Sequence, residues 1–534
     1  MNIFKIKTIN IKVIIHIIKS LFREFKLLYF DKSNNGFIQH NKKQWKNFYN
    51  NDSKAEVLFE LTGMQPNIIS YSYFANALAK KFNADIKAYS FGEKKWVGLY
   101  LKKLYKSFNI EIFSYELNKP QVRELKDLFD NVYSKLNSKN DVFDLSISGV
   151  WFGDLLYDYH LRTYKVPTVE INDNRFKKSL NEALYQFIYW RDYFNDHDVK
   201  AVNISHCCYL IAIPMRIAIH NGVPAYQVNA HGCYCMNEQK LWAYTDFYDY
   251  PEQFSKLSQN EQLEGLKIAK ERIERRFSGE VGVDMAYSTK SAYTNVKKGR
   301  VLSNSDGFKI LIAAHCFFDS PHGLGPNLFV DFYEWFEFLG SISEKTDYEW
   351  YIKTHPDYLP GNMEILKEFI SKYPKFKLIP SDTSHHQLID DGIDCALTTY
   401  GTIGWEYAAL GKLIVNASLS SPHIAYDFNL HPKSINEYER ILMNLPEQKL
   451  DIDINEVYEY YYMMLGRSNM SNWLFRDYNS FIEDIGGYKN QFTSISYKKF
   501  LAEFSQDRHN QSLRLLNDFI DSKDYCMQKK HYSN

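Results

Sequence analysis

The chain has 534 residues, longer than one hydrophobic core usually spans, so two domains of about 200 residues each are expected. Hydrophobic residues make up 45% of it, enough for two cores and too many for a disordered chain. Lys and Arg (64) balance Asp and Glu (64), which argues against a large nucleic-acid-binding field.

In chain order, the first segment, IFKIKTINIKVIIHIIKSLFREFKLLYF, is apolar but carries Lys5, Lys12, Lys19 and Lys26 at regular intervals, with His16 and Arg23 between them. On a helix these six fall on one stripe, and Ile, Val, Leu and Phe cover the rest. A charge every few residues excludes a spanning segment, which needs ~20 mostly uncharged residues. Basic residues run through the apolar region and no small-residue cleavage site follows, so it lacks a signal-peptide layout. The reading is a basic amphipathic helix whose residues 3–30 lie on an anionic membrane face; the alternative is a helix packed on the protein's own core. A polar linker, residues 31–36, follows.

Beyond it, residues 56–61 read as a buried strand, 71–82 as a helix and 85–89 as the next strand. Residues 142–148, 166–171, 201–204 and 224–228 are further expected strands, with helical stretches between most of them. That alternation indicates a parallel sheet covered by helices. Polar residues 278–306 lack periodicity and read as the connection between domains. A second α/β set follows, with strands at 309–314, 348–353, 376–379 and 394–398, helices at 327–342 and 363–372, and a helical turn at 386–391. The expected fold is α/β: two doubly wound Rossmann-like domains facing a cleft, preceded by an amphipathic helix. Their limits are 1–35 for helix and linker, 36–290 and 291–480 for the two domains, and 481–534 for a C-terminal helical tail.

The chemistry concentrates where strands end. In TTYGTIGWEYAALGKLIVNAS, residues 398–418, a strand passes through a glycine-containing turn into a helix. Ligands of open parallel sheets sit beyond the carboxyl ends of the strands, beside helix N-termini. Gly401 and Gly404 let the backbone approach a ligand, and Thr399 and Thr402 offer hydroxyls to phosphate oxygens. Glu406, in the first helical turn, can accept hydrogen bonds from a ribose diol; the alternative is a simple capping carboxylate. Lys353-Thr354-His355-Pro356 marks a second strand end, where Pro356 fixes the turn and His355 can donate to a leaving phosphate. A third, residues 313–323, includes His315 and is rich in polar groups and glycine.

The His-Pro pair at 355–356, followed about forty residues later by TTYGTIGWEYAALGKLIV, resembles the nucleotide-binding half of GT-B glycosyltransferases. It is most similar to the capsule polysaccharide biosynthesis group that includes the β-Kdo transferases. Tyr407 stands after Glu406 where that group has Ala, and Leu413 replaces the Pro after Gly-Lys. The resemblance covers mainly residues 309–418. It implies a nucleotide bound by His315, Lys353, His355, Pro356, Thr399, Gly401, Thr402, Gly404 and Glu406. It also implies transfer without a bound metal or any cofactor beyond the nucleotide-sugar co-substrate. The absence of an Asp-x-Asp signature on a strand end agrees. Asp390-Asp391-Gly392 is similar to an acidic motif of bacterial sialyltransferases, but that motif precedes the His-Pro pair in the other domain, so here it reads as a helix end.

In the first half, SGVWFGDLLYD (148–158) resembles a Gly-Asp-Leu-Ile-Tyr-Asp signature of surface-carbohydrate proteins. Asp154 and Asp158 are four apart and share a helix face. His206, Arg216 and His231 follow other expected strands. Read singly, Asp154 is equally a helix N-cap, His206 a structural histidine and Arg216 a solvated charge; their common placement at strand ends favours the cleft. In-line displacement needs a base near the acceptor hydroxyl and cationic or N–H groups on the leaving phosphate. The base is assigned to Asp154 or Asp158, with His206 behind them, and Arg216 and His231 to the acceptor side.

The resulting expectation is a metal-independent, inverting glycosyltransferase moving a sugar from a nucleotide-sugar donor to a capsule- or lipopolysaccharide-type glycan or glycolipid acceptor. It would sit in a bacterial-type cytoplasm, peripheral on the inner face of the membrane, with no nucleic-acid partner. The rival classes are a sugar-nucleotide epimerase and a teichoic-acid-type polyol-phosphate transferase. The usual Thr-Asp-Tyr-Ser-Ser of the latter is here Thr398-Thr399-Tyr400-Gly401-Thr402, without the aspartate. The seven cysteines form no regular framework or second zinc-type pair and read as reduced thiols.

Overall fold

The computed structural model describes residues 24–46, 54–90, 98–230, 232–284, 290–355, 359–466, 473–475 and 478–527. Most of the expected membrane helix, together with His231 and Pro356, lies outside the described residues.

The strands form two principal sheets. The first contains β1 (Ala55–Glu60), β2 (Asp85–Tyr89), β3 (Ile110–Phe113), β6 (Asp198–Asn203), β7 (Ala225–Asn229) and β8 (Gly232–Met236) in the order β3-β2-β1-β6-β7-β8. All its pairings are parallel except that of β7 with β8. The second contains β9 (Lys309–Ala314), β10 (Glu349–Thr354), β11 (Phe376–Ile379), β12 (Cys395–Thr398) and β13 (Leu413–Asn416) in the order β11-β10-β9-β12-β13, all parallel. Each sheet starts at its centre, runs outward to one edge, then returns to the other side of its first strand. That reversal leaves a crevice between β1 and β6 and another between β9 and β12, the places where doubly wound sheets take ligands. Helices cover the faces, so the central strands are buried nearly throughout, as parallel sheets require.

Local chemistry explains where elements differ from expectation. Residues 142–148 do not join the main sheet. A capping box from Ser138 to Asp141 opens the helix Lys139–Phe143, and Ser148 and Gly149, both at positive φ, turn the short hairpin of β4 (Ser146–Ile147) and β5 (Val150–Trp151). Residues 166–171, interrupted by Pro167, are irregular chain rather than a strand. The helix expected from residue 71 begins at Gln65, with Pro66 in its first turn. The presumed linker at 31–36 is the start of the helix Lys32–Gln44, because the Asp31 carboxylate caps the Asn34 N–H at 3.0 Å. The four-residue β3 and the antiparallel β8 were too short and too irregular in pattern to be read.

Residues 278–306 are not a free connection either. Ser384 N–H donates to Asn295 O at 2.8 Å and His385 N–H to Ala292 O at 3.0 Å, pinning this segment against the second sheet's helices. The chain after β9 reaches the other way. Asp331 accepts hydrogen bonds from Tyr157 and Thr168, and Ser320 Oγ donates to Tyr209 at 2.6 Å. Finally, helices Tyr478–Asp484, Ile495–Glu503 and Gln506–Ser522 return to the first sheet's core, and Cys235 N–H donates to Tyr525 O at 2.8 Å along the β8 edge. Among the described residues no helix is long and apolar enough to cross a membrane.

Candidate functional site

A cavity of about 510 Å³ opens beyond the carboxyl ends of β9, β10 and β12, at the crevice where the second sheet reverses. His315, Lys353, His355, Gly401, Thr402 and Glu406 line it, so six of the expected donor-site residues meet in one place. Small residues at the strand ends, Ala313 and Ala314, leave the space open.

The turn after β12 is built around Thr398. Its hydroxyl accepts the Gly401 N–H at 3.1 Å and lies 3.2 Å from His315 Nε2. A Cβ at Gly401 would come within 2.8 Å of that oxygen, so the glycine is a steric requirement of the cavity wall. Gly404 serves a different purpose from the one expected. A Cβ there would meet the His423 ring rather than a ligand, so this glycine lets the helix Ile403–Ala409 pack. Thr399 is buried and does not line the cavity; Thr402 is exposed and lines it.

The helix contributes less to anion binding than its position implied. It has only 7 residues, and its first N–H groups are used within the turn: Gly404 to Gly401 O at 3.0 Å, Trp405 and Glu406 to Thr402 O at 3.1 Å. Glu406 is not free for a ribose. Its Oε1 accepts two bonds from Arg276, Nε at 2.9 Å and Nη2 at 2.6 Å, and its Oε2 accepts the Tyr293 hydroxyl at 2.8 Å. Burial works against the charge on Arg276, but Glu406 holds that guanidinium above its ordinary pKa. One lone-pair direction on Oε2 is what remains for a ligand.

Arg276 and Lys290 also line the cavity; the buried ammonium of the site is Lys353, 4% exposed on β10. Burial lowers its pKa to about 8, with Glu406 and Asp382 opposing. Among the described residues it pairs with no carboxylate. Two of the surrounding imidazoles are neutral near pH 7: burial, aided by His355, pushes His315 down to about 4, and burial with Lys353 and Arg276 holds His385 well below its ordinary value. His385 Nδ1 lies 2.9 Å from the Tyr407 hydroxyl. The cavity therefore offers one buried ammonium, hydrogen-bonding imidazoles and an apolar floor of Leu311, Ile403 and Tyr293.

The first half's candidates are placed differently. Asp154 and Asp158 lie on one helix, Gly153–Tyr164, and both are buried away from the cavity. Asp154 Oδ2 accepts Arg216 Nη2 at 2.6 Å, and the guanidinium is sandwiched 4.8 Å from Trp151 and 5.5 Å from Trp242. Arg216 is thus neither solvated nor on an open acceptor surface. Asp158 Oδ1 lies 2.7 Å from His322 Nδ1, whose Nε2 is 2.9 Å from Val330 O. Burial pushes the Asp158 carboxyl up against the pull of His322. Although burial disfavours its charge, Asp158 keeps the His322 imidazole raised. Asp154 through Oδ2 and Asp158 through both oxygens join parts of the fold.

His206 stands at the carboxyl end of β6, with Nδ1 2.9 Å from Ser205 Oγ. The residue is exposed, yet desolvation by the surrounding protein lowers its pKa, and Asp319 acts against that. Asp319 follows β9 and lines the cavity, held by Tyr209 OH at 3.0 Å and Arg162 at 3.1 Å. Asp319, Arg276, Tyr293 and His385 were not singled out from sequence. Asp319 lay within the third strand end, and the His385-His386 pair was a visible signal. Arg276 ends a helix assigned to the first half and Tyr293 sat in the supposed connection, so neither carried a local mark. Among the described residues, no group of three or more His, Cys, Asp or Glu could hold a metal ion, and all seven cysteines are free thiols.

No protein-family model and no curated protein matches the chain. Among solved structures, it is similar to the β-Kdo 2,4-transferase KpsC of Thermosulfurimonas dismutans (14% identity, 49% of this chain and 79% of that chain, TM-score 0.31). It is also similar to UDP-GlcNAc 2-epimerase of Neisseria meningitidis bound to UDP-GlcNAc (13% identity, 77% and 99%, TM-score 0.22). A third likeness is to the MnaA–UDP structure from S. aureus (13% identity, 78% and 94%, TM-score 0.24).

Proposed function

We propose that the cavity binds the nucleotide and diphosphate of a nucleotide sugar, and that the chain is a glycosyltransferase of the GT-B arrangement, its two sheets forming two domains about the transfer site. The observation that carries this reading is Lys353: a buried ammonium that forms no ion pair with a carboxylate among the described residues, facing a cavity at the switch point of a doubly wound sheet. Such a charge is costly to enclose unless an anion joins it. A diphosphate supplies that anion, the apolar floor suits a base or ribose, and the Arg276–Glu406–Tyr293 network fixes the wall against which they rest.

In this reading the acceptor, a glycan or glycolipid at the cytoplasmic membrane face, enters from the side of β6. Of the three candidate bases, this reading takes His206, whose side chain is exposed and whose charge is favoured by the cavity-lining Asp319. It takes the proton of the acceptor hydroxyl as that oxygen attacks the anomeric carbon and the nucleoside diphosphate departs. Leaving-group charge falls to Lys353 and His355.

Isothermal titration of the whole chain with UDP, CMP, GDP and CDP tests the site, because Lys353→Met should weaken whichever nucleotide binds. Absence of binding to all four overturns the reading. Incubation of the preferred nucleotide's sugar without acceptor separates the classes: release of an epimerised nucleotide sugar assigns the same cavity to an epimerase.

A further inference from the structure

The described chain begins with a cluster of aromatic side chains that its own core does not use. Phe25, Tyr29 and Phe30 are 51%, 64% and 69% exposed, and Leu99 beside them is 62% exposed. The Phe25 ring lies 4.9 Å from Tyr29 and 5.7 Å from Phe30. Soluble surfaces carry single exposed rings commonly and clusters of them rarely.

This cluster is fastened to the folded body. The helix Leu99–Lys106 starts at Gly98, which has no side chain to cap it. The Glu24 carboxylate does so instead, accepting the Tyr100 N–H at 2.9 Å, and a Cβ at Gly98 would collide with it. On that helix Tyr100, Leu104 and Tyr105 face the core. Leu99, Lys102, Lys103 and Lys106 follow at the i, i+3, i+4 and i+7 positions of the opposite stripe. The stripe holds three cations, and neither the helix nor residues 1–23 contain an acidic residue.

We infer that this composite face, the aromatic turn at residues 25–30 with the Leu99–Lys106 stripe, docks on an anionic lipid bilayer. Aromatic rings sit at headgroup depth, and lysines extend their stems over apolar surface while their ammonium groups reach phosphates. Charge decides the occupant: the cations favour an anionic lipid surface, whereas a second copy would set the same cations against each other. The contact extends beyond the N-terminal segment to a helix of the first sheet, fixing the orientation of that sheet on the membrane. It does not depend on the nucleotide reading of the cavity.

Vesicle co-sedimentation of the whole chain tests it, using phosphatidylcholine alone and phosphatidylcholine containing phosphatidylglycerol. Binding to the anionic vesicles is expected, with a loss of about tenfold or more in the double variant Lys102→Glu and Lys106→Glu. Both lysines leave the core untouched, and an unchanged melting temperature checks the fold. A second variant, Phe25→Ser with Tyr29→Ser and Phe30→Ser, should lose binding similarly. No vesicle binding by the unaltered chain overturns the inference. So does full retention by both variants, which would leave residues 1–23 acting alone. A concentration-dependent dimer in light scattering that the aromatic variant abolishes assigns the face to a second copy instead. Calorimetric nucleotide affinity is expected to stay the same in every variant, so failure here is separable from failure at the cavity.

Discussion

At the second sheet the carboxyl ends of β9 and β12 part around a cavity of about 510 Å³, whereas at the first sheet the equivalent ends of β1 and β6 are bridged by protein. The winding is the same in both, so the crevice is a property of strand order; the side chains at the strand ends decide whether it stays open. In the first sheet Glu60, ending β1, accepts the Ser205 N–H that follows β6 at 2.8 Å. Tyr105 closes the loop beyond by donating to Thr62 O at 3.0 Å. In the second, Ala313, Ala314 and Gly401 stand at strand ends lining the cavity, while Lys353 brings a buried charge that no carboxylate among the described residues pairs directly. The first sheet closes its strand ends with a hydrogen bond, and the second leaves a cavity there.

The largest expected effect tests the structural side of that contrast. Arg216→Ala strands the buried Asp154 carboxylate, and breaking a buried pair costs about 3–5 kcal/mol. Urea denaturation should show a loss of that order, while nucleotide affinity in the surviving folded protein stays unchanged. Selective loss of nucleotide affinity without loss of stability would place Asp154 and Arg216 in the site and erase the distinction.

The opposite pattern is expected at Lys353. Removing one hydrogen bond to a charged group costs about 1.5–3 kcal/mol, so Lys353→Met should weaken nucleotide binding by roughly ten- to a hundredfold in calorimetry. Its effect on stability has the other sign. The folded pKa, about 8, lies below that of a free lysine, so the charged form opposes folding below that value and the penalty fades as pH rises above it. Lys353→Met should therefore raise the melting temperature at neutral pH. A lower one would show that the ammonium is matched by the protein after all.

The same shift predicts how binding varies with pH. An anion prefers the protonated lysine, so affinity should be level up to about pH 8 and then fall by up to about tenfold per unit. His315, pushed to about 4, and His385, well below its ordinary value, are neutral throughout and contribute no slope there. In Lys353→Met the curve should be flat between about pH 7 and about pH 9.5. A slope that survives the substitution would move the charge elsewhere in the cavity.

What sequence could reveal follows the same divide. The second sheet's strands were legible because each is a short, nearly continuous apolar run, and β9 and β11 were read to the residue. Its site was legible where glycine, histidine and lysine mark strand ends. Arg276 and Tyr293 were not, because they reach Glu406 from 130 and 113 residues away, and no local pattern announces such a contact. In the first half the motif around Asp154 was visible but its use was not: a carboxylate at a strand–helix turn looks alike whether it faces a substrate or a buried guanidinium. Only the position of Arg216, 62 residues on, distinguishes the two.

The smallest predicted effect tests the first sheet's switch point directly. Glu60→Gln keeps an oxygen able to accept the Ser205 N–H and removes only the charge, so stability should fall by no more than about 1 kcal/mol. Nucleotide affinity should not change, because Glu60 is bonded to the Ser205 N–H and does not line the cavity of the second sheet. Glu60→Ala removes the acceptor as well and leaves the Ser205 N–H to water or to nothing, which should cost about 1–3 kcal/mol if the crevice stays dry. Hydrogen exchange at Ser205 reads the difference: protection should persist in Glu60→Gln and be lost in Glu60→Ala, with nucleotide calorimetry the same in both. A nucleotide affinity that moved in either variant would mean that the two switch points act together on one ligand.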